Sequence, residues 1–343
     1  MAEIIKKQTM ANLTLQHHVP WQNQLLNQTF SFAKFYFNLL AMETIYVPEY
    51  KGSALRGGFG NVFRKVCCTK QVNDCLNCLL VSHCPYAYVF ETPQNSALQI
   101  EHKADNYPHP FVIEPLLDNV REYKSGEKFQ FGLILFGKAL AYLPYFIYTF
   151  HQLGNVGLGK GRGRFKLLSV ESCEDLWCES SKKQVYDFHS ETLSGDFKIF
   201  SVNDFSNSHA ENENIQISFE TPTRIMMKKN LVKELTPEIF IRSLLRRISW
   251  LGKIHCEGDW NLPYREIVDY AAENLTITSH HLKWHDWQRY STRQHRRMIL
   301  GGFVGEVEIA GALKPLLPLI YLGQFTHVGK NTTFGLGKYT IYH

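Results

Sequence analysis

Two periods of apolar residues run along this chain, and the places where one gives way to the other outline its elements. From Pro237 to His255, apolar residues recur at Ile241, Leu244, Leu245, Ile248 and Leu251. That is close to the repeat of about 3.6 residues expected of a helix with one buried face. Thr236 stands where an N-cap belongs, ahead of Pro237 at the first helical position. Ile215 to Ile225 reads as a strand ending at Thr221-Pro222. Further strands are expected near Thr276 to Trp284 and from Gly302 to Ile309. A helix then runs from Ala312 through Leu322, interrupted by Pro315 and Pro318. A glycine-rich turn and a closing strand, Lys338 to Tyr342, follow.

The first half repeats this order. Phe30 to Val47 is strand-rich, Ser53 to Val66 helical, and Phe111 to Leu116 and Phe129 to Phe136 are strands. An apolar helix from Ala139 to Leu153, broken early by Pro144, leads to a second glycine-rich turn and a strand, Phe165 to Val170. The turns themselves match: Gly157-Leu158-Gly159-Lys160-Gly161-Arg162-Gly163-Arg164-Phe165 in the first half, and His327-Val328-Gly329-Lys330 through Phe334-Gly335-Leu336-Gly337-Lys338-Tyr339 in the second. Their flanks match as well, Ala139-Leu140 with Ala312-Leu313 and Leu143-Pro144 with Leu317-Pro318. The pattern is an internal duplication of a β-α-β-β-α-β unit. The expected fold is α+β, with two ferredoxin-like domains in tandem. Residues 1–28 form an N-terminal extension, 29–172 the first domain, 173–214 a polar connector with a strand around Phe197 to Val202, and 215–343 the second domain.

With 343 residues and 44% hydrophobic positions, the chain has material for two cores. No apolar run reaches the roughly 18–20 residues of a membrane span. No secretory signal is evident, so a cytoplasmic location is expected. A formal charge of +5 decides little by itself, and its distribution matters more. Lys160, Arg162, Arg164 and Lys166 alternate. Arg242, Arg246 and Lys253 fall on one helical face. Arg289, Arg293, Arg296 and Arg297 crowd a segment with Trp284, Trp287 and Tyr290. Arginine beside aromatics suits single-stranded RNA, where bases stack and phosphates pair. Gly329, Lys330, Gly335 and Gly337 would present backbone N–H groups and a cation to phosphate; the alternative is that the glycines let helix and strand pack closely.

Five of the eight cysteines fall between Cys67 and Cys84. Cys68, Cys75, Cys78 and Cys84, with a C-x2-C knuckle at the centre, fit a structural tetrahedral zinc site or, with the same thiolates, an iron–sulfur cluster. Such a metal would stabilise an insertion with few apolar residues of its own.

Four segments in order carry a family resemblance. They are Tyr50-Lys51-Gly52-Ser53-Ala54-Leu55-Arg56-Gly57-Gly58-Phe59-Gly60, Trp287-Gln288-Arg289-Tyr290-Ser291-Thr292-Arg293-Gln294, Gly301-Gly302-Phe303-Val304-Gly305, and the terminal glycine loop. Together with the doubled, RRM-like plan they resemble the CRISPR-associated precursor-crRNA processing endoribonucleases of the RAMP superfamily. The similarity runs from about Phe30 to His343. It implies binding of CRISPR repeat RNA and one cut without a catalytic cofactor. In that reaction the 2′-hydroxyl attacks the adjacent phosphate, leaving a 2′,3′-cyclic phosphate and a 5′-hydroxyl. It implies, too, partners among CRISPR effector or adaptation proteins.

The chain departs from the family at one place. Members often carry a histidine near the first helix, whereas this sequence has none between His18 and His83 and offers Tyr46, Tyr50, Lys51 and Arg56 there. His327, at the mouth of the terminal loop, is then the leading acid–base candidate, ahead of His17 and His18. Lys51 and Lys330 are candidate stabilisers of phosphorane charge, and Tyr50 a candidate to orient the 2′-hydroxyl. The alternative class is a non-catalytic crRNA-binding subunit that shares the fold and lacks the cut.

Overall fold

A computed structural model of the chain describes residues 19–342 except 71–74, 76, 92–106, 207–213 and 292–295. His17, His18 and Arg293 therefore lie outside the described residues. The fold is α+β, and two antiparallel sheets dominate it. In the first half, β1 (Phe32–Ala41), β2 (Phe111–Pro115), β3 (Lys128–Phe136) and β4 (Phe165–Cys173) form a sheet in the order β2-β3-β1-β4, extended by β5 (Lys182–Asp187) and Thr192–Leu193. In the second half, β6 (Asn214–Thr223), β7 (Leu275–His285), β8 (Gly302–Gly311) and β9 (Tyr339–Tyr342) lie in the order β7-β8-β6-β9. Counted from the first strand of each half, both orders are the same, with the last strand beside the first.

Helix α1 (Gly52–Cys67) and α2 (Leu143–Val156) cover the first sheet. Their contact is aromatic: Phe59 stacks on Phe146 and Phe150 at 4.8 and 5.0 Å between ring centroids, a geometry that adds to plain area burial. Helix α3 (Pro237–His255), α4 (Tyr264–Asn274) and α5 (Leu317–Thr326) serve the second sheet. The Thr236 hydroxyl accepts the Ile239 N–H at 3.3 Å, the expected cap. The prolines act differently from the expectation. Pro144 and Pro318 sit in the first turn of α2 and α5, where a missing N–H costs nothing, so they start these helices and do not interrupt them.

The halves share a core. Phe32, Val112, Ile134 and Phe136 of the first sheet are buried in the same cluster as Phe240, Leu244, Ile320 and Leu322 of the second half. The segment 264–274, expected as no element in particular, is α4, and the expected strand near 197–202 is reduced to a single bridge between Phe200 and Phe32. Among the described residues no helix is long and apolar enough to cross a membrane.

The cysteine insertion is a correction. Cys68, Cys75, Cys78 and Cys84 are not gathered into a ligand shell. Among the described residues no group of three or more His, Cys, Asp or Glu side chains could hold a metal ion, and all eight cysteines are free. Among the described residues the expected zinc or iron–sulfur site is thus overturned. The turn that follows the insertion, Ala87–Glu91, is held by aromatic packing: Phe90 sits against Phe59 and Phe63 at 5.6 Å each, with Tyr86 stacked on Phe90 at 5.3 Å. The apolar material was present immediately after the last cysteine of the insertion.

Candidate nucleic-acid interface

The two glycine turns are built alike. In the first, Leu158 N donates to Gly163 O at 2.9 Å and Lys160 N to Tyr46 O at 2.9 Å. In the second, Val328 N donates to Gly337 O and Lys330 N to Arg224 O, again at 2.9 Å. The helix before each turn ends on a residue with positive φ: Gly157 at φ 85°, ψ 160° and His327 at φ 59°, ψ 173°. That region suits glycine and strains any other residue, so His327 holds a position that its counterpart leaves to glycine.

The imidazole of His327 is fully buried. Its Nδ1 faces the Leu336 carbonyl at 3.1 Å and its Nε2 faces Oε1 of Glu114 at 3.2 Å. Burial holds the ring below its ordinary pKa, and the Glu114 bond offsets part of that shift. Glu114, on β2, also pairs with Lys34 of β1 at 2.8 Å. Burial pushes this carboxyl upward, but Lys34, the His327 bond and Lys338 outweigh it and keep the group well below the usual carboxylate range. His327 thus ties the second loop to the first sheet.

Tyr50 and Lys51 belong to the same junction. Tyr50 donates its hydroxyl to Phe334 O at 2.8 Å, and burial pushes the phenol well above 10. Lys51 is 5% exposed and paired with Asp118. Gly52 is pressed against the Phe334 carbonyl, and a Cβ at Gly335 would meet Ile113 O at 2.7 Å. Gly335 and Gly337 are buried, and their Cα atoms face protein backbone.

Beside this junction a cleft of about 360 Å³ opens between the halves. Arg56 reaches it from α1, where its guanidinium lies over Phe90 and Phe334 at 4.7 and 5.1 Å from the ring centroids. Helix α3 supplies Ser243, Arg246, Arg247 and Trp250, the loop supplies Gly329 and Lys330, and the segment before β2 supplies Tyr107 and His109. Tyr107 and Trp250 pack at 5.2 Å, so an aromatic wall stands beside the cations. Arg247 donates its Nε to Thr326 O at 2.5 Å, and burial lowers its guanidinium to about 9.

Of the expected RNA contacts, Arg56, Arg246, Gly329 and Lys330 are brought together here, whereas Lys160, Arg162 and Arg164 lie on the exposed first loop. Arg164 is paired with Glu43 at 2.6 Å. Arg289 lies on a hairpin of Gln288–Ser291 against Arg296–Ile299. Sequence reasoning missed His109, Arg247 and Trp250. The α3 set was legible, because Ser243, Arg246, Arg247 and Trp250 recur at helical spacing opposite the apolar stripe.

Comparison with known proteins agrees with this plan. Residues 217–339 match the family model of the CRISPR-associated endoribonuclease Cas6, and residues 30–195 match an N-terminal domain model, AF_1859_N. The second half of the chain carries a Cas6-family domain. A protein of Archaeoglobus fulgidus described as uncharacterized is 24% identical over 302 residues, which is 86% of this chain and 93% of the relative. Cas6 of Thermus thermophilus, solved as a product complex, aligns over 91% of this chain and 99% of its own with a TM-score of 0.55 and 16% identity. A chain of a partial Cas6-RT-Cas1–Cas2 complex aligns over 93% of this chain and 47% of its own length, with a TM-score of 0.56 and 15% identity. At these identities the solved structures speak for the Cas6 fold. The family is the one expected from the four sequence segments.

Proposed function

We propose that this Cas6-family chain is a metal-independent endoribonuclease that binds CRISPR repeat RNA through two ferredoxin-like halves and cuts it within the cleft between them. The observation that carries this reading is the convergence of Arg56, Arg246, Arg247 and Lys330 on one wall-lined cleft in a Cas6-family fold. Transesterification by a 2′-hydroxyl needs a proton acceptor, a proton for the leaving 5′-oxygen, and cations for the charge that builds on the equatorial oxygens. Four cations in one cleft suit the last requirement. The Tyr107–Trp250 wall suits an unstacked base beside the scissile phosphate. In this reading Tyr50, Lys51 and His327 position the loop that carries Lys330 and do not touch the reacting atoms.

A second reading has one observation in its favour. The polar ends of Tyr50, Lys51 and His327 are all taken up by protein partners, as they would be in a subunit that holds crRNA without cutting. Incubation with the repeat RNA in EDTA, followed by end-group analysis, separates the two. A single cut with a cyclic phosphate and a 5′-hydroxyl supports the nuclease; tight binding without a cut supports the holder. Association with adaptation proteins, as the name of the Cas6-RT-Cas1–Cas2 complex describes for its own Cas6, is a further expectation, read by co-purification.

A further inference from the structure

We propose that His109 is the general base of this chain, a role that rests on the cleft being the site of RNA cleavage. Three described histidines stand at the junction of the halves, and two are spoken for. His327 faces Leu336 O and Glu114 with its two nitrogens. His255 faces the Tyr88 hydroxyl at 3.1 Å and Pro108 O at 2.9 Å. His109 lines the cleft, and its Nδ1 is buried with no hydrogen-bond partner.

The backbone on either side of His109 is braced. Pro108 O takes the His255 bond, and Pro110 O accepts the Phe136 N–H at 3.0 Å. The ring stacks on Phe111, with centroids 6.2 Å apart and planes inclined by 23°. Burial, then Arg56, His255 and Arg247, lower its pKa to about 3, so the resting ring is neutral and able to accept a proton. A phosphate drawn between Arg56 and Arg247 would offset the two charges that depress the ring. Substrate binding itself would then strengthen the base.

In the step, the 2′-hydroxyl proton passes to the imidazole and the O2′–P bond forms. The P–O5′ bond breaks, and the departing oxygen takes a proton from water. The imidazolium returns its proton to the hydroxide so formed.

The test is single-turnover cleavage of the repeat RNA by the full chain, wild type beside His109→Ala and His109→Gln, with RNA affinity measured in parallel. Each reaction is repeated on RNA carrying sulfur in place of the scissile 5′-oxygen. The expected result is a loss of about 10²–10⁴-fold in both variants at unchanged affinity. The sulfur substrate should not recover it, because a thiolate leaves without an acid but the 2′-hydroxyl still needs a base. Recovery on sulfur would make His109 the acid and overturn the proposal. Wild-type rates in either variant, or loss of RNA affinity in both, would overturn it too, with the nuclease reading intact. Absence of any cut by the wild type would instead remove that reading, and the proposal with it.

Discussion

The two glycine loops share a backbone and differ in what surrounds it. Each closes with the same pair of hydrogen bonds, and each is anchored by a lysine N–H on the chain that leaves the first strand of its half. The first faces solvent, with Lys160, Arg162 and Arg164 exposed. The second carries an added turn, Thr332–Phe334, that reaches into the other half, where Tyr50 and Gly52 receive it. The local hydrogen bonding is the same in both, and the added turn makes the second loop a joint where the first is a surface turn. A glycine-rich loop with flanking lysines therefore has no fixed role: its surroundings decide whether it meets solvent and ligand or the neighbouring domain.

The comparison breaks first at the ion pairs. Glu114→Gln leaves Lys34 with no counter-charge in a buried setting, and removing one partner of such a pair costs about 3 kcal/mol. Urea unfolding at pH 7 checks this. Glu43→Gln, the equivalent loss at the exposed Glu43–Arg164 pair, should leave the urea midpoint unchanged. The pH dependence follows from Glu114. Its folded pKa lies below the ordinary 4.5, so its contribution is present above that value and is lost as pH falls through the folded value. The wild type should therefore lose stability on acidification below about pH 4.5, and the Gln variant should lose less over the same window. Equal acid curves would mean that Glu114 does not hold the joint.

Next is the residue that stands where the first loop has glycine. His327→Ala removes the bonds to Glu114 and Leu336 and keeps the strained backbone; His327→Gly removes the same bonds and releases the strain. The glycine variant should be the more stable of the two by about 1–2 kcal/mol, an inversion of the usual order for a helix end replaced at random. Both should retain the cleavage rate of the folded protein to within about tenfold, since a general base would cost about 10²–10⁴-fold. A loss of the larger size at full RNA occupancy would return His327 to the chemistry.

These contrasts also explain what could be read from the sequence. The α+β class and the order of strands and helices followed from period, capping and repeat, because those are local signals that the chain carries twice, once in each half; the Cas6 resemblance came from the four sequence segments. The Thr236 cap was legible, whereas the starts of α2 and α5 were misplaced because Pro144 and Pro318 open these helices and do not interrupt them. The candidate site was legible where it lies on a periodic element, as with Arg246 on α3, or in a repeated loop, as with Lys330. His109 was not, because it sits outside any periodic segment and gains its meaning from Arg56 and Arg247, distant in the chain. The burial of His327 was not legible either. Nothing near it announces Glu114, on a strand of the other half, as its partner. Cysteine spacing misled for a related reason: spacing gives reach along the chain, whereas a metal site needs convergence in space.

The smallest expected effect concerns the cations that each loop offers to RNA. Replacing Lys160, Arg162 and Arg164 by glutamine should weaken repeat binding and flatten its dependence on salt. Each lost phosphate contact on a single strand lowers the slope by about 0.7, and Arg164 is already engaged by Glu43, so the triple change should lower it by about 1.4, the value for two contacts. The bound RNA should still be cut at the wild-type rate, because none of the three lines the cleft. Lys330→Gln should do the reverse. It removes one contact, lowering the slope by less than about 1, but it lies at the cleft and should slow the cut at saturating protein. If the first-loop variant slows the cut and Lys330→Gln changes only the salt slope, the assignment of the outer loop to holding RNA and the inner loop to the reaction is the wrong way round.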